Sequence, residues 1–196
     1  AMKRLVLASA NPGKLREMRA LLAPFGLEVI VQSALGIAEA EEPHDTFLEN
    51  ALAKARHASR ASGLPALADD SGLCVDALDG APGVHSAYFA GREGSREERD
   101  ARNNAKLLAS LGEQRSAHYR CVMVLVRSAH DPAPLVAEGE WHGEIARAPR
   151  GANGFGYDPL FLVAGRGLTA AELPAEEKNR ISHRARAAAR LLAALS

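Results

Sequence analysis

Cysteine is scarce: Cys74 and Cys121 are the only two in 196 residues, with no CxxC spacing, and each falls in an apolar, strand-like run. They read as buried free thiols, which sets aside a disulfide framework, a thiolate metal site and a catalytic thiol. Net charge is missing too, since 24 Lys plus Arg face 24 Asp plus Glu. That balance removes the electrostatic footprint of a general nucleic-acid or anionic-membrane binder, so an anionic ligand must be met locally. Aromatic residues make up only 5%, few for a single-strand stacking platform. Apolar runs such as Cys121 to Val126 fall far short of the roughly 20 residues of a spanning helix. No signal-peptide core follows the basic Lys3 and Arg4, so a soluble, cytoplasmic protein is expected. Ala1, ahead of Met2, reads as a cloning remnant.

What is present is ordinary globular material, 47% hydrophobic and 24% charged, enough for one compact unit or two small lobes. Residues 3–9 read as a buried strand, and Asn11, Pro12 and Gly13 turn it into a helix with apolar Leu15, Met18, Leu22 and Phe25. Pro24 and Gly26 end that helix and residues 27–31 alternate as a second strand. The resulting βαβ unit favours a parallel pair and an α/β class. After an acidic stretch at 39–45, Thr46 and Glu49 suggest a capping box for an alanine-rich helix ended by Gly63. Residues 65–68 form a short strand that delivers Asp69, Asp70 and Ser71 at its C-terminal end, the edge where α/β sheets bind ligands. A helix from Arg96 to Leu111 carries Ala101, Asn104, Ala105, Leu108 and Leu111 on one side. Two longer strands, 117–126 and 135–145, suggest an antiparallel hairpin and a second lobe. Pro174 opens a final helix with Ile181, Ala185, Ala188, Leu192 and Leu195 inward.

Four clusters could carry chemistry. Ser9, Ala10, Asn11, Pro12, Gly13 and Lys14 lie between strand and helix, where backbone amides and a lysine suit a phosphate. A plain turn with a solvated lysine is the alternative, since no Walker spacing is present. Asp69 and Asp70 are adjacent on an extended segment, so they point to opposite sides and play different roles. With Glu39, Glu41 and Glu42 upstream they could complete a Mg²⁺ site once a phosphate ligand is bound, or remain a turn and a solvated loop. In Gly154, Phe155, Gly156, Tyr157 and Asp158, the glycines would let Phe155 stack on a base while Asp158 orients a partner; a tight aromatic turn is the plainer reading. Lys178, Ser182, His183 and Arg184 gather donors for a carbonyl-rich ligand, or a charged helix surface. Lys54 is either a further phosphate contact or a snorkelling lysine. The histidines show no zinc spacing.

Taken in order, SxNxxK (Ser9, Asn11, Lys14), the Glu41–Glu42 pair with TFxENAxxKA (46–55), ADDSGL (68–73), GAPG, GFGYDPxF (154–161) and EKNxxSHR (177–184) resemble the inosine triphosphate pyrophosphatase family over nearly the whole chain. The resemblance implies an elongated two-lobed α/β fold around a long mixed central sheet, a single domain over 2–196 with the substrate in the cleft between lobes, and a homodimer. It also implies Mg²⁺-dependent hydrolysis of non-canonical purine nucleoside triphosphates (ITP, dITP, XTP) to monophosphate and pyrophosphate. Carried over by motif, residues 9–14 cradle phosphates, with Ser71 beside them, and Lys54 adds charge. Asp70 activates water and helps hold the metal, Asp69 supports it, and Glu42 or Glu41 is the second metal carboxylate. Phe155 stacks on the base, Gly156, Tyr157 and Asp158 shape its pocket, and Lys178, His183 and Arg184 read the purine. A donor-only site accepts the C6 carbonyl of hypoxanthine or xanthine and rejects the adenine amino group. Ala10 stands where the family usually has glycine, and a positive φ there would strain the loop. The rival readings are a non-hydrolysing nucleotide-binding regulator and a pyrophosphatase for other modified nucleotides.

Overall fold

The computed structural model describes residues 2–196, so Ala1 lies outside the described residues. Its elements are β1 (Arg4–Leu7), α1 (Pro12–Leu22), β2 (Glu28–Val31), α2 (Phe47–Ser62), β3 (Ala66–Val75), α3 (Arg96–Ala109), β4 (Ser116–Val126), β5 (Leu135–Ile145), β6 (Phe161–Val163), α4 (Ala175–Ile181) and α5 (His183–Leu195). They build one mixed sheet in the order β2-β1-β3-β4-β5-β6. β1 runs parallel to β2 and β3, as the βαβ pattern requires, and β6 is antiparallel to β5. Cross-strand partners Arg115 with Ile145, His118 with His142 and Arg120 with Glu140 run in opposite directions, so β4 and β5 form the expected antiparallel pair. No helix of the described residues is long and apolar enough to cross a membrane.

The chain divides into two compact units, with boundaries inside β3, β4 and β5. In the first (residues 1–70, 121–139 and 183–196), both sheet faces are covered. Leu5, Leu7, Leu67, Cys121, Met123 and Leu125 pack with Met18 and Leu22 of α1 and with Ala187, Leu191 and Leu192 of α5. Val6, Ala8, Ala66, Ala68, Val122 and Val124 pack on Ala51, Ala55 and Ala58 of α2. Alanines at i, i+4 and i+7 seat that helix close to the strands. Cover on both faces is why 121–126 reads as an unbroken apolar run.

In the second unit (71–120 and 140–182), β4 alternates instead, with Ala117 and Tyr119 buried and Arg120 half-exposed. Tyr119, Trp141 and Phe161 form its aromatic centre, with ring centroids 4.5 to 6.1 Å apart.

Four expectations need correction. β3 does not stop at residue 68 but continues to Val75, so Asp69 and Asp70 lie within it. They still project past the parallel edge, because β1 pairs only as far as Leu7 with Leu67. Helix α1 ends at Leu22, and Phe25, in a following 3-10 turn, is half exposed. Of the side expected to face inward on α3, Leu108 and, just past its end, Leu111 pack half-buried on the core, but Ala101 and Ala105 are exposed and the fully buried positions are Asn103, whose amide binds the backbone at Ser86, Ala87 and Ala90, and Leu107. The final helix is two: Ser182 takes an extended conformation (ψ 165°) between α4 and α5.

Candidate active site

Alternation along β3 decides the geometry in the first unit. Leu67 faces α1 and α5, so Asp69 does too; Ala66 and Ala68 face α2, so Asp70 does. Asp69 Oδ2 lies 3.5 Å from Lys14 Nζ on α1 and 3.1 Å from Arg184 Nη2 on α5, and the Cys121 thiol donates to it at 3.7 Å. Arg184 also pairs with Glu17, one turn along α1 from Lys14. Helix α5 reaches this position because β5 has Gly139 beneath it: a Cβ there would sit 2.1 Å from the His183 carbonyl oxygen and 2.7 Å from Ala187 N.

On the opposite face, Asp70 Oδ1 is 3.7 Å from Lys54 Nζ, which is 2.8 Å from Glu42 Oε1. Glu42, rather than Glu41, is therefore the acid of the pair that meets Lys54. Asn50, one turn before Lys54 on α2 and only 1% exposed, donates to Asp70 Oδ2 at 3.3 Å. The same amide donates to the His44 carbonyl and accepts from the His44 N–H, both at 3.1 Å, and so ties the acidic loop to the strand.

These surroundings push the two aspartates apart. Burial would raise Asp69, but Lys14, Arg184 and Lys54 outweigh it and hold the carboxyl far below the usual carboxylate range. Burial raises Asp70, and although Lys54 and Lys14 oppose it, Glu42 and Asp69 add to the rise, leaving it at about 6. Burial would lower Lys54, yet Asp70, Glu42 and Asp69 raise it instead. One aspartate is a fixed anion and its neighbour a group that titrates near neutrality, the separation that general acid–base chemistry requires.

At the end of β1, Asn11 Oδ1 caps α1 by accepting from Gly13 N at 2.9 Å and Lys14 N at 3.3 Å, and Ser9 Oγ accepts from Asn11 N at 3.1 Å. Pro12 occupies the first turn, where its missing N–H costs nothing. Ala10 is not strained: among the described residues, Asp79 is the non-glycine residue with positive φ. Ser71 follows Asp70 on β3, in the second unit.

The second unit holds the other cluster. Asp158, 2% exposed, accepts from the Tyr119 hydroxyl at 2.9 Å and from Phe155 N at 3.0 Å, and pairs with Lys178 Nζ at 2.5 Å. That ammonium lies 4.8 Å from the Phe155 ring centroid. Tyr157 is buried and its hydroxyl donates to the Ser86 carbonyl at 2.6 Å. Burial pushes the phenol up, so it stays protonated. Gly154 (φ +71°) leaves room for the carboxylate, since a Cβ would lie 2.1 Å from Asp158 Oδ2. Gly154→Ala is therefore expected to displace Asp158 and Lys178 together and to raise the substrate KM at least tenfold, measured by steady-state kinetics.

The donors gathered from the last motif divide between the two units. Lys178 is committed to Asp158 in one unit, and Arg184 to Asp69 and Glu17 in the other, because the chain breaks at Ser182. His183 is buried at the start of α5. Asn50, Glu17, Gly139 and Asn104 escaped selection. Only Asn50 carried a signal, its i,i+4 spacing from Lys54.

Residues 5–194 match the Ham1 family. A dITP/XTP pyrophosphatase of Ralstonia nicotianae is 62% identical over 97% of this chain and 96% of its own. One of Burkholderia pseudomallei is 62% identical over 100% of this chain and 94% of its own. The solved HAM1 protein from Coxiella burnetii superposes with a TM-score of 0.87 at 49% identity, covering 99% of this chain and 98% of that one.

Proposed function

Since this chain belongs to the Ham1 family, we infer that it is a nucleoside-triphosphate pyrophosphatase, hydrolysing dITP, XTP and ITP to the monophosphate and pyrophosphate. The observation that carries the reading is the divergence of the adjacent carboxylates, Asp69 held ionised and Asp70 raised to about 6. In this assignment Asp70 takes a proton from the attacking water as its oxygen bonds to the α-phosphorus, and the bond to the bridging oxygen of pyrophosphate breaks. Lys14, Lys54 and the amides at the start of α1 stabilise the charge that develops on the leaving group. Arg184, with its guanidinium on Asp69 and Glu17, is assigned to hold Asp69 and through it Lys14.

Among the described residues no three or more His, Cys, Asp or Glu side chains form a cage for an ion. The donor set nonetheless fits Mg²⁺, which takes one or two carboxylates and completes its shell with water and substrate phosphates. Asp70 and Glu42, both on Lys54, are that pair. When bound, the ion would neutralise phosphate oxygens. On the second unit we assign Phe155 to stack on the base, Gly156, Tyr157 and Asp158 to shape its pocket, and Lys178 to donate to its C6 carbonyl; His183, at the start of α5 in the first unit, is assigned to the same carbonyl. That one nucleotide lies between two lobes and engages both clusters belongs to the proposal, as do the homodimer and the cytoplasmic setting; the resemblance supports the first two.

The test is product analysis with Mg²⁺ and ITP, XTP, dITP, ATP, GTP and dUTP. Monophosphate plus pyrophosphate from the first three, with little from the others, is the expected result. Release of orthophosphate and a diphosphate would overturn the reaction, and turnover of ATP or dUTP at equal kcat/KM would overturn the base pocket.

A further inference from the structure

Helix α3 carries no motif residue of the proposed reaction, yet it holds the loop that presents Phe155. Asn104 Nδ2 donates to the Gly156 carbonyl at 3.1 Å. Gly156 has φ +60°, a left-handed conformation that glycine adopts readily, and the Asn104 amide holds its carbonyl from outside. Asn103 adds a second tie: its Nδ2 donates to the Ser86 carbonyl at 3.2 Å, the same oxygen that accepts from the Tyr157 hydroxyl. The neighbours of Gly156 are Phe155, assigned to stack on the base, and Tyr157, buried with its hydroxyl on the Ser86 carbonyl. Asn104 Oδ1 is buried without a hydrogen-bond partner, so the contribution of this amide in the fold is the single bond from Nδ2 to the loop.

We propose that Asn104 is a positioning residue for the base: by holding the Gly156 carbonyl it keeps the Phe155 ring, beneath Lys178, in the plane against which a purine stacks. The inference rests on the assignment of Phe155 under Proposed function and deepens it, because the clamp acts on the base end of the nucleotide and leaves the phosphate end alone. The two ends respond to different probes: inorganic tripolyphosphate has the phosphates and no base, whereas ITP has both.

Two variants test it, Asn104→Leu, which keeps the volume and removes the donor, and Asn104→Asp, which keeps the shape and turns a carboxylate oxygen toward the Gly156 carbonyl. Both are expected to raise the KM for ITP about tenfold with kcat changed less than threefold. The inhibition constant of tripolyphosphate should stay within twofold of wild type, and amide exchange at residues 154–158 should speed up at least tenfold. An unchanged KM for ITP in both Asn104 variants overturns the clamp, as does a tripolyphosphate constant that rises in parallel, since that would be general loosening. Unchanged exchange in the loop also overturns it while wild-type turnover of ITP leaves the proposed function standing. Failure of the wild-type protein to hydrolyse ITP removes the proposed function and the clamp's role in it, even where exchange shows the loop loosened.

Discussion

Asp70→Asn is expected to abolish hydrolysis and at the same time to make the metal-free protein more stable at pH 7.5. Loss of the general base costs about 10²- to 10⁴-fold in kcat. The stability effect follows from linkage. Asp70 moves from an ordinary 3.8 to about 6 in the fold, chiefly through burial. A raised pKa means that the folded state prefers the protonated group, so its favourable contribution is fully present below about pH 4 and is lost as pH rises through 6. Asparagine has the shape of the protonated side chain and never incurs that loss. At roughly 1.4 kcal/mol per unit, the gain at pH 7.5 is on the order of 2–3 kcal/mol, a Tm increase of about 5–10 °C for a chain of this size. Thermal melts in EDTA at pH 3.5 and 7.5 check it: the two proteins should coincide at the lower pH and separate at the higher. A variant that melts with wild type at pH 7.5, or retains full turnover, removes Asp70 from the role of base.

The opposite outcome is expected one residue away and across the sheet. Arg184 is 1% exposed, and its removal takes the guanidinium from Asp69 and Glu17, whose side chains are 3% and 11% exposed, while Asp69 keeps Lys14 at 3.5 Å. Breaking a buried pair from one side leaves charges without compensation, typically at a cost of about 3–5 kcal/mol. Arg184→Ala should therefore lower Tm by roughly 10 °C at pH 7. The sign reverses the Asp70 case. Asp69 is held well below its ordinary value, so its contribution exists above about pH 4 and fades as pH falls toward the depressed value. The deficit of the variant should shrink on acidification, which melts at pH 7 and pH 3 would register. Were Arg184 a reader of the purine instead, the variant would keep its Tm and lose only its preference for ITP over ATP.

Much of this arrangement is legible along the chain. Period-2 alternation from Ala66 to Asp70 already sends the two carboxylates to opposite faces, and Asn11 with Pro12, and Thr46 with Glu49, mark helix starts that the structure realises. Both are short-range properties, set by backbone geometry within a few residues. The length of β3 was not legible, because two aspartates and a glycine break the apolar pattern of a strand. What keeps them in it is partners outside the strand: Lys14, Arg184, Lys54 and Asn50 compensate the buried carboxylates. The face of α3 was misread for a related reason, since counting apolar residues cannot weigh Asn103, whose buried amide serves three backbone groups.

The chain by itself determined the α/β class, the starts of α1 and α2, the opposite facing of Asp69 and Asp70 and, through six ordered motifs, the family. Only the tertiary structure decided which aspartate titrates near neutrality. That depends on burial and on charges brought from α1, α2 and α5, up to 115 positions away in the chain. The break at Ser182, which sends Lys178 to Asp158 and Arg184 to Asp69, was decided there too, as was the hold of α3 on Gly156. Periodicity reports which face a side chain takes, whereas ionisation and pairing depend on what is packed against that face, and packing exists only once the chain has folded.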